Sequence, residues 1–508
     1  MRRLALLVAA VFAATPAHSQ TLRVSLQALA AGTLDPHRAT TTEDVTVTSW
    51  MFNGLLRFPP GSADPAKIEP DLAESYTGSP DGLTWTFKLR QNVAIQNGLG
   101  ILSTEDVVQS LKRAADPKRS SYAGDFADLD SVAAVDAHTV RLVLRRPVPS
   151  LPGLVANTRG GMIVPARAAE RADFATAPVG TGPFTYSRIE PGSTILMAHP
   201  GYFRGTPKLA GIAVRYINSD QTRELALTTG ELDLATGRRD QRWVERMRGE
   251  KGLVVDMFTP GEFRTLLLNT HSKPLDDLRV RQAFEHAIDA LRIAQFVGLD
   301  VAKPGRSPVP PGYLGMTEDL PTYAPDPVRA RALLAEAGYP NGITLKAIVS
   351  SVSPQLSVME VVQAQLKRAG ITLEMDVVDH ATYHTRIRQD LSQVVFYGAA
   401  RFPVADSYLT QMYHSRSAPG QPAASLNFSH CNVADSEIDA ARGDTDPVHR
   451  AALWATAQRK IMAAACAVPL FDLLQVWART ARLDYGYVLD GSLNLAPPIT
   501  EATTLRAP

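Results

Sequence analysis

The stretch ITLEMDVVDHATYHTRIRQDLSQVVFYGA, residues 371–399, decides the fold class. Its first eight residues alternate apolar and polar side chains, which is typical of a β-strand. ATYHTRIRQ then predicts a short helix, and QVVFYGA predicts the next strand. With the strand that begins at Thr344 and the helix that ends at Gly370, residues 344–400 predict the order strand–helix–strand–helix–strand. That order is the unit of an open, largely parallel sheet.

The rest of the chain alternates strands and helices in the same style, so the sequence predicts an α/β protein. STEDVVQSLKRAAD predicts a helix capped by Ser103 or Thr104, and DPVRARALLAEAG predicts a helix that begins after Asp326. The proline-rich segment 303–311 predicts a surface loop. A length of 508 residues allows two or three domains. Strand alternation is clear in TLRVSLQAL (21–29), LTWTFKLR (83–90) and TVRLVLRR (139–146).

The first residues have the layout of a secretory signal peptide. Arg2 and Arg3 precede a short apolar run, and Ala17-His18-Ser19 supplies small residues at the cleavage point. We expect residues 1–19 to be removed and the mature protein to work in an oxidising, extracytoplasmic space. No later segment has the apolar length of a membrane-spanning helix, so stable membrane insertion is not expected.

Charge and cysteine content narrow the function classes. Loss of the two leader arginines changes the formal net charge from +1 to −1, which gives no electrostatic reason to bind nucleic acid or anionic membranes. The chain has two cysteines, Cys431 and Cys466. In the expected compartment a disulfide between them is permitted, and two unrelated small buried residues are the alternative.

Signatures of catalysis and of cofactor binding are lacking. GTGPFTYS lacks the third glycine of a dinucleotide loop, and the chain has neither a phosphate-cradling loop nor a GxSxG elbow. His380 and His384 have the i,i+4 spacing that places two imidazoles on one helix face, but no third metal ligand is evident beside them. Solvent-facing or capping histidines are the alternative interpretation. We therefore expect binding without catalysis, with no cofactor and no resident metal.

Six phrases, in this order along the chain, resemble one protein family. That family is the family 5 extracytoplasmic solute-binding proteins of ABC importers, the dipeptide-, oligopeptide- and nickel-binding type. Each phrase alone is weak, and their order carries the resemblance. The phrases are LDPHRATTTEDVTVTSWMFNGLLRF (34–58), EPDLAESYTGSPDGLTWTFKLRQNV (69–93), PVGTGPFTYSRIEPGSTILMAHPGYFRGTPKL (178–209), LLLNTHSKPLDDLRVRQAFEHAID (266–289), DPVRARALLAEAGYPNG (326–342) and VPLFDLLQVWART (468–480).

The resemblance implies a two-lobed periplasmic-binding-protein type II fold with an additional inserted domain. Lobe I would comprise residues 20–48, 178–264 and 480–508, the inserted domain 49–177, and lobe II 265–479. Such proteins close on a small-molecule solute by hinge motion and dock on a membrane permease. We expect a monomer in the periplasm that captures a peptide-like or amino-acid-derived solute with an anionic group. A metal chelate or haem-like cargo, a sensor or chaperone role, and an extracytoplasmic hydrolase are the alternatives.

The same resemblance suggests where the solute binds. Peptide-binding members carry an aspartate just after the strand that ends near Tyr397, and it pairs with the ammonium group of the ligand. Arg401 stands at or next to that position, so the charge would be reversed to suit a carboxylate or phosphate. The alternative roles of Arg401 are an ion pair with Asp406 and a solvated position in the loop. The further predicted contacts are Tyr397, Phe402, Arg159, Thr40, Thr41 and Thr42, for which core packing, a surface position or helix capping are the alternatives.

Overall fold

The computed structural model of the chain describes residues 20–148, 150–400, 403–421 and 424–507. The predicted signal peptide, 1–19, lies outside these residues. In the part of the chain that is described, no helix has the length and apolar character needed to cross a membrane.

The helices occupy both halves of the chain. They are α1 Thr42–Ser49, α2 Thr104–Ala114, α3 Leu151–Val155, α4 Ala166–Ala169, α5 Asp220–Thr228, α6 Gln241–Gly249, α7 Leu278–Ala287, α8 Ala290–Val297, α9 Pro327–Glu336, α10 Ser353–Arg368, α11 His380–Arg388, α12 Ala405–Tyr413, α13 Asp435–Gly443 and α14 Pro447–Ala463. Short 3-10 turns occupy Pro65–Lys67, Gln96–Gly98, Ala123–Phe126 and Ser415–Ser417.

The strands alternate with these helices. They are β1 Thr21–Leu26, β2 Leu56–Arg57, β3 Glu69–Pro70, β4 Ala73–Gly78, β5 Thr84–Leu89, β6 Leu129–Asp136, β7 Thr139–Leu144, β8 Phe184–Glu190, β9 Ser193–Ala198, β10 Gly211–Tyr216, β11 Leu234–Thr236, β12 Leu253–Leu268, β13 Ala302–Pro304, β14 Ile343–Ser350, β15 Ile371–Val378, β16 Val394–Ala399, β17 Ala467–Thr480, β18 Leu483–Asp484 and β19 Thr504–Leu505.

Two long strands join the lobes. β12 and β17 pair antiparallel from Leu253 opposite Thr480 to Leu267 opposite Ala467. Among the described residues, nine strands form the main sheet, in the order β16-β12-β17-β11-β1-β10-β9-β8 with β13 beside β17. β11, β1 and β10 therefore lie at one end of the long pair, and β16 and β13 at the other. We expect the middle of the pair to act as the hinge between the lobes, and the residue limits predicted for each lobe stay predictions.

The region that decided the fold class has the predicted order of elements. β14 and β15 pair in parallel from Ile343 opposite Ile371 to Ser350 opposite Val378. Gln393, just before β16, hydrogen-bonds the backbone of β14 at Lys346. The carboxyl ends of the parallel strands β14 and β15 therefore lie at one edge of their sheet. In open α/β sheets this edge is where ligands bind.

The inserted domain has its own antiparallel sheet, in the order β4-β5-β7-β6, covered by α2. The predicted cap of α2 is confirmed. Ser103 Oγ accepts from the backbone N–H of Asp106, and the Asp106 carboxylate accepts from the N–H of Ser103. This reciprocal pair satisfies two amides that a helix start leaves free.

The prediction of a surface loop at 303–311 is wrong. Ser307 and Val309 are buried, and the segment begins within β13. The physical reason is that its polar groups find partners inside the protein. The N–H of Gly305 donates to the Leu470 carbonyl over 2.9 Å, and Ser307 Oγ donates to Gln458 Oε1 over 3.0 Å. Proline content alone does not reveal such partners.

The structure joins Cys431 and Cys466 by a disulfide, with their Cα atoms 5.8 Å apart. Both residues are buried in the lobe II core, and 35 positions separate them along the chain. The bond ties the segment before α13 to the residue that precedes β17. The two cysteines are therefore a disulfide pair and not two unrelated small buried residues.

Candidate functional site

A cavity of about 690 Å³ lies between the lobes, over the middle of β12 and β17. This volume suits a small-molecule ligand. Its floor is formed by Glu262 and Arg264 of β12 and by Phe471, Leu473 and Gln475 of β17. Because the floor consists of the strands that join the lobes, a solute bound here would contact the hinge directly.

The walls come from both lobes. The lobe I wall has Thr42, Glu43 and Thr46 of α1 and the loop 236–240 after β11. The lobe II wall has Phe396 of β16, Phe296 and Val297 of α8, and Val352, Ser353, Pro354, Gln355, Ser357 and Val358 at the start of α10. The positive end of the α10 dipole thus opens on the cavity, which favours an anionic group there.

Two guanidinium groups converge on one carboxylate in the cavity. Arg239 Nη1 and Arg264 Nη2 each lie 2.8 Å from Glu262 Oε2. Arg239 Nη2 also donates to Gln475 Oε1 over 2.9 Å, and Gln475 Nε2 donates to the Pro260 carbonyl over 3.1 Å. Each guanidinium has five N–H donors, and the contacts among the described residues of this network leave several of them without a partner. The arrangement therefore retains capacity to bind a further carboxylate.

Arg264 owes its place to a glycine on the neighbouring strand. Gly398 of β16 stands opposite Arg264, and a Cβ atom there would lie 2.5 Å from the guanidinium. The guanidinium carbon also lies 5.6 Å from the centre of the Phe396 ring, a distance that gives a cation–π attraction. The side chain is 11 % exposed, so few alternative positions are open to it.

The pKa values of the two cavity glutamates shift in opposite directions. Burial alone would raise the pKa of Glu262, but the charges of Arg264 and Arg239 and their hydrogen bonds lower it below its usual value. Burial raises the pKa of Glu43, which also feels the like charge of Asp44. Glu262 is therefore ionised at neutral pH. The cavity offers paired cations on its floor and acidic groups beside them, which suits a solute that carries both charges.

The structure brings some of the predicted contacts to the cavity and not others. Thr42 lines it, Thr41 caps α1 by accepting from the Asp44 N–H over 3.2 Å, and Thr40 is exposed. Arg159 donates to the hydroxyl of Tyr122, which itself bonds the Ala39 carbonyl. Arg159 therefore lies beside the segment that begins α1 rather than on the cavity floor.

The aromatic and arginine predictions near β16 have different outcomes. Tyr397 is buried against Phe428, with 5.3 Å between ring centres, on the strand face opposite Phe396. Arg401 and Phe402 lie outside the described residues. Asp406, considered as a partner of Arg401, lies 3.5 Å from Arg442 Nε. The roles of Tyr397, Arg401 and Phe402 in ligand binding stay predictions.

Arg239, Glu262 and Arg264 were not among the residues predicted to contact the solute. One signal was available for the last two, because GEFRTLLL places two charged residues two positions apart, and hence on one face, at the start of an apolar strand. Charges at such positions need partners, so they mark a functional or buried polar site. Arg239 carries no such signal, since it belongs to a polar loop.

Three comparisons agree on the family. The family model for bacterial extracellular solute-binding proteins, family 5 middle region, matches residues 67–420. The chain is 28 % identical to the glutathione-binding protein GsiB of Escherichia coli K12 over 454 residues, with 86 % of each chain covered. It is 46 % identical to MoaA of A. tumefaciens R10, solved in complex with mannopinic acid, with 96 % and 100 % coverage and a TM-score of 0.83.

A third relative is AgaA of A. tumefaciens R10, solved in complex with agropinic acid. It is 25 % identical, with 96 % of this chain and 99 % of that chain covered and a TM-score of 0.77. The match to these solute-binding proteins extends over both lobes. The fold is therefore the type II periplasmic-binding-protein fold. The chain therefore belongs to the family 5 extracellular solute-binding proteins, the solute-capturing components of ABC importers.

Proposed function

We propose that this protein captures an opine-type solute, an amino acid joined to a sugar-derived group, in the cavity over β12 and β17. The observation that carries the proposal is the convergence of Arg239 and Arg264 beside Glu262. A carboxylate of the solute would accept hydrogen bonds from the guanidinium N–H groups that these contacts do not use. An ammonium group of the solute would lie near Glu43 and Glu262.

The neutral polar groups of the cavity support the same class of solute. Thr42, Thr46, Gln355 and Gln475 line the cavity with hydroxyl and amide groups that suit a polyol. A dipeptide offers fewer hydroxyl groups to them. The 46 % identity to MoaA, against 28 % to GsiB, favours an opine acid over glutathione.

We further propose that the protein works in the periplasm, after loss of residues 1–19, and hands the solute to a membrane permease as the lobes close. The relatives are periplasmic binding proteins, which supports this compartment. The proposed role is binding, and the bound solute is expected to leave unchanged.

The test is a panel of solutes in thermal unfolding. Mannopinic acid, agropinic acid, glutathione and a dipeptide are each added at the same concentration. A ligand that binds only the folded state raises the Tm in proportion to the logarithm of its concentration over Kd. We expect mannopinic or agropinic acid to raise the Tm most. A larger rise with glutathione or the dipeptide contradicts the proposal.

A further inference from the structure

Two histidines that the binding cavity does not use face each other at the edge of lobe II. His380 begins α11 directly after β15, and His384 follows one turn later. Their Nε2 atoms are 3.2 Å apart, and their ring centres are 4.5 Å apart. His380 is exposed and His384 is half-buried, so solvent reaches the pair.

The separation of the two nitrogens matches that of two ligands of one metal ion. Zinc-to-imidazole bonds are about 2.0–2.1 Å long, so two imidazole nitrogens on one ion lie about 2.8–3.4 Å apart over the range from octahedral to tetrahedral angles. The spacing of 3.2 Å falls inside that range. A direct hydrogen bond between the rings is the competing interpretation, and it needs no metal.

The surroundings hold both rings in the coordinating orientation. Ser350 Oγ lies 2.9 Å from His380 Nδ1, which occupies that nitrogen and leaves Nε2 as the coordinating atom. His384 packs between the rings of Tyr383 and Tyr397, at 5.2 and 6.0 Å between ring centres.

We propose that His380 and His384 form a two-ligand site for a late first-row divalent metal such as Cu²⁺, Ni²⁺ or Zn²⁺. Imidazole is a preferred ligand of these ions. Among the described residues, no group of three or more histidine, cysteine or carboxylate side chains is placed to hold a metal. The remaining coordination positions therefore belong to water or to a solute that chelates through a carboxylate or an amine.

The site lies next to the binding cavity in the fold. Ser350, which orients His380, ends β14 two residues before Val352, and Val352 lines the cavity at the start of α10. Tyr397, which contacts His384, follows the cavity residue Phe396 in β16 but lies on the opposite face of that strand, so the pair is outside the cavity lining. The proposal goes beyond the proposed function and does not depend on it.

The test is metal binding by the full protein prepared without a polyhistidine tag. CuCl₂ and NiCl₂ are titrated against a chromophoric chelator, and the copper form is examined by electron paramagnetic resonance. We expect one ion per protein and coupling to two imidazole nitrogens. His380→Ala and His384→Ala should each weaken the affinity by about tenfold or more and leave coupling to a single nitrogen.

His449→Ala is the matched control, because His449 is an exposed histidine whose Nδ1 contacts Asp444 and which, in the described parts of the chain, contacts no second histidine. It should bind metal like the unchanged protein, and the Tm of each variant checks its folding. Equal affinity in His384→Ala and the unchanged protein overturns the proposal, as does absence of binding. Affinity for mannopinic acid measured without metal reports on the proposed function separately.

Discussion

At the scale of single residues, the binding site depends on the Arg264 side chain and on the space that Gly398 leaves for it. Arg264 reaches Glu262 because Gly398 has no side chain to block the guanidinium. The arginine is largely buried, so it cannot move into solvent without breaking its ion pair and its contact with Phe396. A methyl group added at position 398 of the neighbouring strand should therefore change the affinity for the solute.

Gly398→Ala is expected to displace the Arg264 guanidinium and to weaken binding of the solute by about tenfold, the equivalent of about 1.4 kcal/mol. Isothermal titration calorimetry measures the loss. Gly443→Ala, at the end of α13, is the control, since no other described residue beyond its own helix backbone and chain neighbours has an atom within 4 Å of the position of its Cβ. Unchanged affinity in Gly398→Ala would show that Arg264 does not contact the solute.

A second residue, Glu285 of α7, makes stability depend on pH. Burial raises its pKa to about 8, and its Oε1 has no hydrogen-bond partner within the described parts of the chain. The folded state keeps a proton that the unfolded state loses above about pH 4.5. Folding stability should therefore fall as the pH rises from about 4.5 to 8.

Glu285→Gln removes this titration. From pH 5 to pH 8 the free energy of unfolding of the variant should therefore rise by roughly 3 kcal/mol relative to that of the unchanged protein. Urea unfolding at the two pH values measures the difference. Glu360→Gln on α10, an exposed position, serves as the comparison and should have no such effect. If the variant and the unchanged protein differ in stability by the same amount at both pH values, Glu285 does not titrate in this range.

At the scale of elements, local sequence patterns predicted much of the structure and little of the site. Alternation and capping residues correctly located β15, α2 and α9, because both signals depend on neighbours in the chain. The burial of 303–311 and the Arg239–Glu262 pair were not predictable. Both depend on contacts between segments that are far apart in sequence, which a single sequence does not reveal.

The disulfide should stabilise the packing of α13 and α14 in lobe II. Closing a loop of 35 positions in the unfolded chain is worth roughly 3–4 kcal/mol by the chain-entropy relation. Replacement of both Cys431 and Cys466 by serine should lower the free energy of unfolding by about that amount and leave solute affinity nearly unchanged. Denaturant unfolding with and without a reductant makes the comparison. No effect of the reductant on the unchanged protein would argue against a stabilising bridge.

At the scale of the whole molecule, the cavity lies on the strands that join the lobes, so binding and closure are coupled. A solute that contacts Thr42 on one wall and Gln355 on the other is buried only when the walls approach. Small-angle scattering should therefore record a smaller radius of gyration with mannopinic acid than without it. The same radius in both samples would indicate that closure does not accompany binding.

The central claim is that the paired guanidiniums of the cleft bind the carboxylate of an opine-type solute. The most direct measurement is calorimetric titration of mannopinic acid into the unchanged protein, Arg264→Ala and Arg329→Ala, where Arg329 is a half-exposed arginine of an α9 ion pair. We predict one site with micromolar or tighter affinity, a loss of about tenfold or more in Arg264→Ala, and no change in Arg329→Ala. No binding by the unchanged protein, or equal binding by Arg264→Ala, would contradict the claim.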